Sequence, residues 1–152
     1  MNGTGLARRF TVPENGAPHR CSVLVVDDDA DARELLRLAL SAQGYEVATV
    51  RDGREALRYL RSHAETCIIV LDLMLPGMDG ANFRASQLRD RSLAWIPVVV
   101  VSGAVDAVEQ ARAVRAQSVL RKPLDLDEVR NTLSAIGCRR TALRRRAPIA
   151  AS

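Results

Sequence analysis

Aromatic residues are nearly missing from this sequence: one Trp, two Tyr and two Phe in 152 positions. A core must therefore be built from Val, Leu, Ile and Ala, and the 47% apolar content suffices for one domain. Long apolar runs are missing as well. No stretch reaches the roughly 18 residues that span a bilayer. Residues 1–20 carry arginines but not the apolar run of a secretory signal, so a cytoplasmic location is expected. Cysteine is limited to Cys21, Cys67 and Cys138, far apart and without CxxC spacing, which points to reduced thiols rather than a thiolate metal site. Histidine is limited to His19 and His63, and neither neighbours an acid cluster, so both are expected to be solvated.

The net charge of +4 is unevenly spread. From Arg139 onward there are five arginines and no acid, and residues 1–20 hold three arginines and one glutamate. Residues 21–138 are therefore net −3. The basic character lives in the two extensions, 1–20 and 138–152, which are expected to be disordered around a domain at 21–137. No aromatics interleave the C-terminal arginines, so neither a nucleic-acid nor a membrane partner is expected.

Within 21–137, apolar runs alternate with helical periodicity. Ser22–Val26 is an unbroken apolar run stopped by Asp27-Asp28-Asp29, as in a strand buried on both faces. Ala32, Leu35, Leu36, Ala39 and Gln43 follow at helical spacing, closed by Gly44. Tyr45–Val50 reads as a second strand. Asp52 with Glu55 reads as a capping box before a helix bearing Ala56, Leu57 and Leu60. Cys67–Leu71 is a third strand ending at Asp72, and Leu73–Asp79 a loop. Gly80–Asp90 is a helix with Phe83 and Leu88 inward. Ile96–Val101 is a fourth strand with Pro97 near its start, and Val105–Ala116 a helix. Ser118–Arg121 is a fifth strand, and Asp125 with Glu128 caps a last helix with Leu126, Val129, Leu133 and Ile136 on one face.

Five strand–helix units predict an α/β fold: a parallel sheet, doubly wound, with helices on both faces. In such a sheet the ligand site lies beyond the carboxyl ends of the strands. The residues there are Asp27-Asp28(-Asp29), Asp72, Ser102 and Lys122. Two carboxylates about 4 Å apart repel by on the order of 4 kcal/mol at an effective dielectric of about 20. A cation would relieve such a cluster. An all-oxygen donor set selects a hard ion such as Mg²⁺, and a nearby Lys suits a phosphate. A carboxylate nucleophile with a cation, a hydroxyl and an ammonium is a phosphoryl-transfer set. Taken singly these residues have plainer readings. Asp29, Asp52, Asp79 and Asp125 suit helix caps, Ser102 a turn and Lys122 a solvated charge; convergence at one sheet edge singles out Asp27, Asp28 and Asp72.

The segments Val23–Asp29, Val70–Gly80, Val101-Ser102-Gly103 and Arg121-Lys122-Pro123 resemble the motifs of the receiver domains of two-component response regulators, over about residues 21–137. The resemblance implies a flavodoxin-like (βα)5 fold with strand order 2-1-3-4-5 and a stand-alone receiver. It implies that Asp72 accepts a phosphoryl group from a histidine kinase or phosphotransfer protein. Asp28 would bind Mg²⁺ (or Mn²⁺) directly and Asp27 directly or through water, with Asp72 and the main-chain carbonyl of Met74 completing the metal set. Ser102 would hold the phosphoryl group and Lys122 pair with it, across a cis Lys122–Pro123 bond. Phosphorylation would switch a surface that binds an output protein, in a monomer or weak homodimer. Such a protein assists only its own phosphorylation and dephosphorylation and is not an enzyme with other substrates. Where the family often has an aromatic, three residues before the Lys, this chain has Val119. Gly103 leaves the phosphoryl position accessible. Two alternatives stand beside this reading. One is a degenerate receiver acting only through protein contacts. The other is an aspartate-nucleophile phosphatase, although the place of its second acid holds Met74.

Overall fold

The apolar runs form one five-stranded sheet in which every strand pair is parallel. The computed structural model of the chain describes residues 21–75 and 77–137. The strands are β1 (Ser22–Val26), β2 (Glu46–Val50), β3 (Thr66–Asp72), β4 (Val98–Ser102) and β5 (Ser118–Arg121). The helices are α1 (Ala30–Ala42), α2 (Gly53–Ser62), α3 (Gly80–Arg89), α4 (Ala107–Ala113) and α5 (Leu126–Ile136). Strand order is β2-β1-β3-β4-β5, so the expected doubly wound α/β topology is present. The order reverses between β1 and β3, which makes their carboxyl ends the switch point where such sheets open a crevice. The expected extensions at 1–20 and 138–152, with Cys138 and His19, lie outside the described residues.

Alternate strand residues face opposite layers. Leu24, Val26, Ile69, Leu71, Val98 and Val100 pack with Ala56, Leu57 and Leu60 of α2, Phe83 of α3 and Ala111 of α4. Val23, Val25, Ile68, Val70, Val99 and Val101 pack with Leu36 and Leu40 of α1 and Val129 and Leu133 of α5. The unbroken apolar runs thus arise because both faces of the central strands are covered.

Helix starts follow the expected caps. The side chains of Asp29, Asp52, Asp79 and Asp125 accept from main-chain N–H groups two or three residues on. At α2 the Glu55 carboxylate reaches back to the N–H of Arg51 at 3.0 Å, one residue before the cap itself.

Several boundaries and faces differ from expectation. Strand β2 begins at Glu46 rather than Tyr45, and β4 at Val98 rather than Ile96. Pro97 has no N–H to give to a ladder; its carbonyl instead accepts from Ile69 at 3.0 Å. Helix α4 is shorter than Val105–Ala116: Asp106 makes no side-chain cap, and Arg115 turns the chain with φ +56°. Leu88 does not point inward; it is 37% exposed, and Leu35 and Leu126 are exposed as well. In α3 the buried positions are Gly80, Phe83, Arg84 and Gln87, at i, i+3, i+4 and i+7, and Leu88, at i+8, lies about 40° beyond Arg84 at the edge of that stripe.

Two polar side chains occupy the place that the apolar pattern gave to Leu88. Arg84 donates to the carbonyls of Val114 (2.9 Å) and Arg115 (2.8 Å) and to Gln87 Oε1 (2.7 Å). Gln87 Nε2 donates to the carbonyls of Leu93 (2.9 Å) and Ile96 (3.0 Å). Burial, and secondarily the charge of Arg115, hold the Arg84 guanidinium below the usual arginine range. The pair satisfies carbonyls of irregular segments that no ladder reaches, so its burial is compensated.

Replacing Gln87 by Leu keeps the volume but strands the carbonyl of Ile96 and takes the acceptor from Arg84 Nη1, while the Leu93 carbonyl keeps the Ile96 N–H at 3.1 Å. Urea denaturation should show a stability loss of about 2–4 kcal/mol. A loss below about 0.5 kcal/mol would mean that other groups serve the Ile96 carbonyl and Arg84.

Candidate functional site

The register of the sheet assembles the site. Val26 pairs with Leu71, and each is followed by an acid, Asp27 and Asp72. Asp72 pairs with Val101, one residue before Ser102. Ser102 pairs with Arg121, and the next residue, Lys122, donates its N–H to the Ser102 carbonyl at 3.0 Å. The Lys122–Pro123 bond is cis, as expected. A glycine is required at the start of α3, because a Cβ on Gly80 would lie 2.7 Å from Leu73 Cα. This close approach fixes the loop that follows Asp72.

Asp27 and Asp72 are 2% and 4% exposed, Ser102 is buried, and Asp28 is open to solvent. Carboxylate oxygens of Asp27, Asp28 and Asp72 lie within 4.8 Å of one another. Each buried carboxylate uses one oxygen for a nearby main-chain N–H. Asp27 Oδ1 accepts from Asp29 and Asp72 Oδ1 from Met74, both at 2.9 Å. Their other oxygens share one ammonium: Lys122 Nζ is 3.1 Å from Asp72 Oδ2 and 3.8 Å from Asp27 Oδ2. Ser102 Oγ accepts from the Ala104 N–H at 3.1 Å and keeps its own proton to donate.

The charges do not balance. Burial pushes the Asp27 carboxyl above the usual carboxylate range; the Asp29 N–H opposes this, and the neighbouring Asp72 charge adds to it. Burial alone would lower the Lys122 ammonium, but its bond to Asp72 and the charges of Asp72, Asp27 and Asp29 outweigh that and raise it. One ammonium thus pairs with two carboxylates of a cluster of three. An all-oxygen set of this charge fits a hard divalent cation, and the cluster can hold a metal ion.

The sequence-predicted residues Asp27, Asp28, Asp72, Ser102 and Lys122 all come to this edge. Met74 lies beside them through its N–H bond to Asp72, with its side chain 71% exposed. Val119 on β5 packs partly buried against the α2–α3–α4 layer. His63 is elsewhere, stacked on Tyr59 with ring centroids 3.8 Å apart. Sequence reasoning missed Arg33, whose Nη1 donates to the main-chain carbonyl of Asp27 at 2.8 Å. Its only signal was a cation in the first turns after the acid triplet.

The family model described as "Response regulator receiver domain" matches residues 23–134. This chain belongs to the response regulator receiver family. It is similar to the transcriptional regulatory protein TcrA of Mycobacterium tuberculosis, 37% identical over 129 residues, covering 84% of this chain and 47% of that protein. It is also similar to the DNA-binding response regulator MtrA of Mycobacterium leprae, 32% identical over 112 residues, covering 72% of this chain and 48% of that protein. The receiver chain thus spans about half the length of these curated relatives. Among solved structures, it resembles the chemotaxis response regulator CheY4 of Vibrio cholerae, with TM-score 0.71 and 28% identity, covering 77% of this chain and 98% of that one. It likewise resembles a response regulator receiver protein from Pseudomonas putida, with TM-score 0.71 and 29% identity, covering 76% and 97%.

The raised Asp27 pKa sets signs for two measurements. The unfolded chain releases this proton near pH 3.8 and the folded receiver at higher pH. Between those values this group makes stability fall as pH rises. At neutral pH without metal, Asp27→Asn should therefore raise the melting temperature by about 2–6 °C, corresponding to about 1 kcal/mol gained by no longer burying that charge beside Asp72. It should also abolish the further rise that millimolar Mg²⁺ gives the wild type. In the wild type, cation binding should weaken as pH falls through the raised Asp27 value. A lower melting temperature for metal-free Asp27→Asn would contradict this charge accounting.

Proposed function

We propose that Asp72 is the phosphoacceptor of a phosphorelay receiver whose donor is a phosphohistidine on a histidine kinase or phosphotransfer protein. The supporting observation is the pairing of Asp72 with Lys122 at 3.1 Å inside a cluster of three acids at the switch point. An Asp72 carboxylate oxygen forms the new bond to phosphorus as the phosphorus–nitrogen bond breaks, and the departing electron pair returns to the imidazole. The product is an acyl phosphate, and attack by water later returns the carboxylate and inorganic phosphate.

Asp27, Asp28, Asp72 and the Met74 carbonyl would hold the cation, Mg²⁺ or Mn²⁺. Such an ion, when bound, supplies positive charge to the oxygens of the transferring group. Lys122 brings a second positive charge to the same group. Ser102 donates its hydroxyl proton to a phosphoryl oxygen, and the Ala104 N–H bond holds that hydroxyl in place. The burial of Asp72 limits water around the nucleophile.

The relatives are named as transcriptional and DNA-binding regulators. We therefore assign the output of this receiver to a segment or partner that reads the phosphorylated surface, with the receiver acting in the cytoplasm. No helix among the described residues is long and apolar enough to cross a membrane. A phosphatase reading finds no support at Met74, which offers no acid two residues after Asp72.

Incubation with acetyl phosphate and Mg²⁺ should add one phosphoryl group to the intact mass. Asp72→Asn should abolish that gain, and Lys122→Ala should slow it by about tenfold or more, a loss of electrostatic stabilisation. Phosphorylation that survives Asp72→Asn would overturn the assignment. Phosphomonoester turnover near 1 s⁻¹ would favour the phosphatase instead.

A further inference from the structure

Arg33 stands on α1 six residues after Asp27, and its guanidinium reaches back over the start of its own helix. The bond it makes is to a neutral group, the Asp27 carbonyl, at 2.8 Å. This choice is informative, because Asp27, Asp28, Asp29 and Asp31 all lie within six residues of it in sequence. Among the described residues, Arg33 makes no ion pair with any of them, whereas Lys122 pairs with two carboxylates. Arg33 therefore leaves the cluster's oxygens open and acts on the backbone beneath them.

That backbone is the turn from β1 into α1, which presents Asp27 and Asp28. The Asp27 N–H donates to the Val50 carbonyl at 3.2 Å, tying the turn to β2. The Asp29 N–H donates to Asp27 Oδ1 at 2.9 Å, and the Asp31 N–H to Asp29 Oδ1 at 2.9 Å. The Asp27 carbonyl lies just beyond the last paired residue of β1, where the strand ladder ends. Arg33 supplies the donor this carbonyl would otherwise lack, and links the turn to the helix that packs on the sheet.

We propose that Arg33 is the positioning residue of the cation site. It holds the β1–α1 turn so that the carboxylates of Asp27 and Asp28 converge with Asp72, and it takes no coordination place itself. The inference rests on reading the acid cluster as a divalent-cation site.

The sign of one measurement separates positioning from simple charge. A cationic side chain beside an acidic pocket opposes a second cation, so a purely electrostatic Arg33 would tighten Mg²⁺ binding when neutralised. A positioning Arg33 weakens it. Calorimetric titration with Mg²⁺ alone, at fixed ionic strength, should show Arg33→Gln binding about tenfold more weakly than wild type, the usual scale for groups that orient metal ligands. Arg33→Lys should fall between, because one ammonium lacks the reach and fork of a guanidinium. Without metal, amide exchange at Asp29 and Asp31 should speed up in Arg33→Gln while the β4 amides stay protected.

Mg²⁺ affinity in Arg33→Gln equal to or tighter than wild type would overturn the proposal. Should the Gln variant fail to fold, Arg33→Lys decides the matter, and wild-type affinity there overturns it. Wild-type protein that binds no Mg²⁺ at millimolar concentration would instead overturn the cation reading on which the inference rests, and the inference with it.

Discussion

The receiver depends on one arrangement: two buried carboxylates, Asp27 and Asp72, that share a single ammonium from Lys122. Nothing in the apolar packing requires them. They are placed by the topology, because β1 and β3 are neighbours whose registers end together and whose next residues are both acids. The cost of holding them is visible in Asp27, whose carboxyl is pushed up by burial and by its neighbour. Stability is thereby exchanged for a pocket that favours cations.

The rest of the fold makes this tension tolerable. Both faces of the central strands are covered by aliphatic layers that leave those strands almost no freedom to relax apart. Main-chain donors at Asp29 and Met74 fix one oxygen of each buried acid, so the carboxylates keep a defined orientation. On the far side of the sheet edge, Arg84 and Gln87 tie α3 to the end of α4 and to the turn before β4. Helix α4 is thus anchored at its C-terminal end, while its start lacks a side-chain cap and follows the exposed Val105. The uneven anchoring leaves the segment after Ser102 as the less constrained part of that face.

Much of this was legible in the chain itself. Strand positions followed from runs such as Val23–Val26, which are long enough and apolar enough only for a sheet covered on both faces. The convergence of the candidate site followed from the fold rule, since Asp27, Asp72, Ser102 and Lys122 each stand just past such a run. What escaped were features that no periodicity carries. Leu88 suggested an apolar face, but hydrogen bonds to irregular carbonyls made Arg84 and Gln87 the buried residues instead. Helix α4 is shorter than its pattern, which Val105 and Ala116 continue, because the missing cap and the left-handed Arg115 end it early. Arg33 escaped because its partner is a backbone carbonyl, and sequence patterns list side chains.

If a divalent cation occupies the acid cluster, Lys122 supplies Asp27 and Asp72 with part of the charge that the ion would provide. Calorimetric titration of Mg²⁺ into Lys122→Met tests this most directly, because Met keeps the stem and removes the charge. If the ammonium and the cation compete for the same carboxylates, the variant binds Mg²⁺ at least about fivefold more tightly than wild type, in line with a unit charge a few ångströms away. Unchanged or weaker binding would contradict that competition.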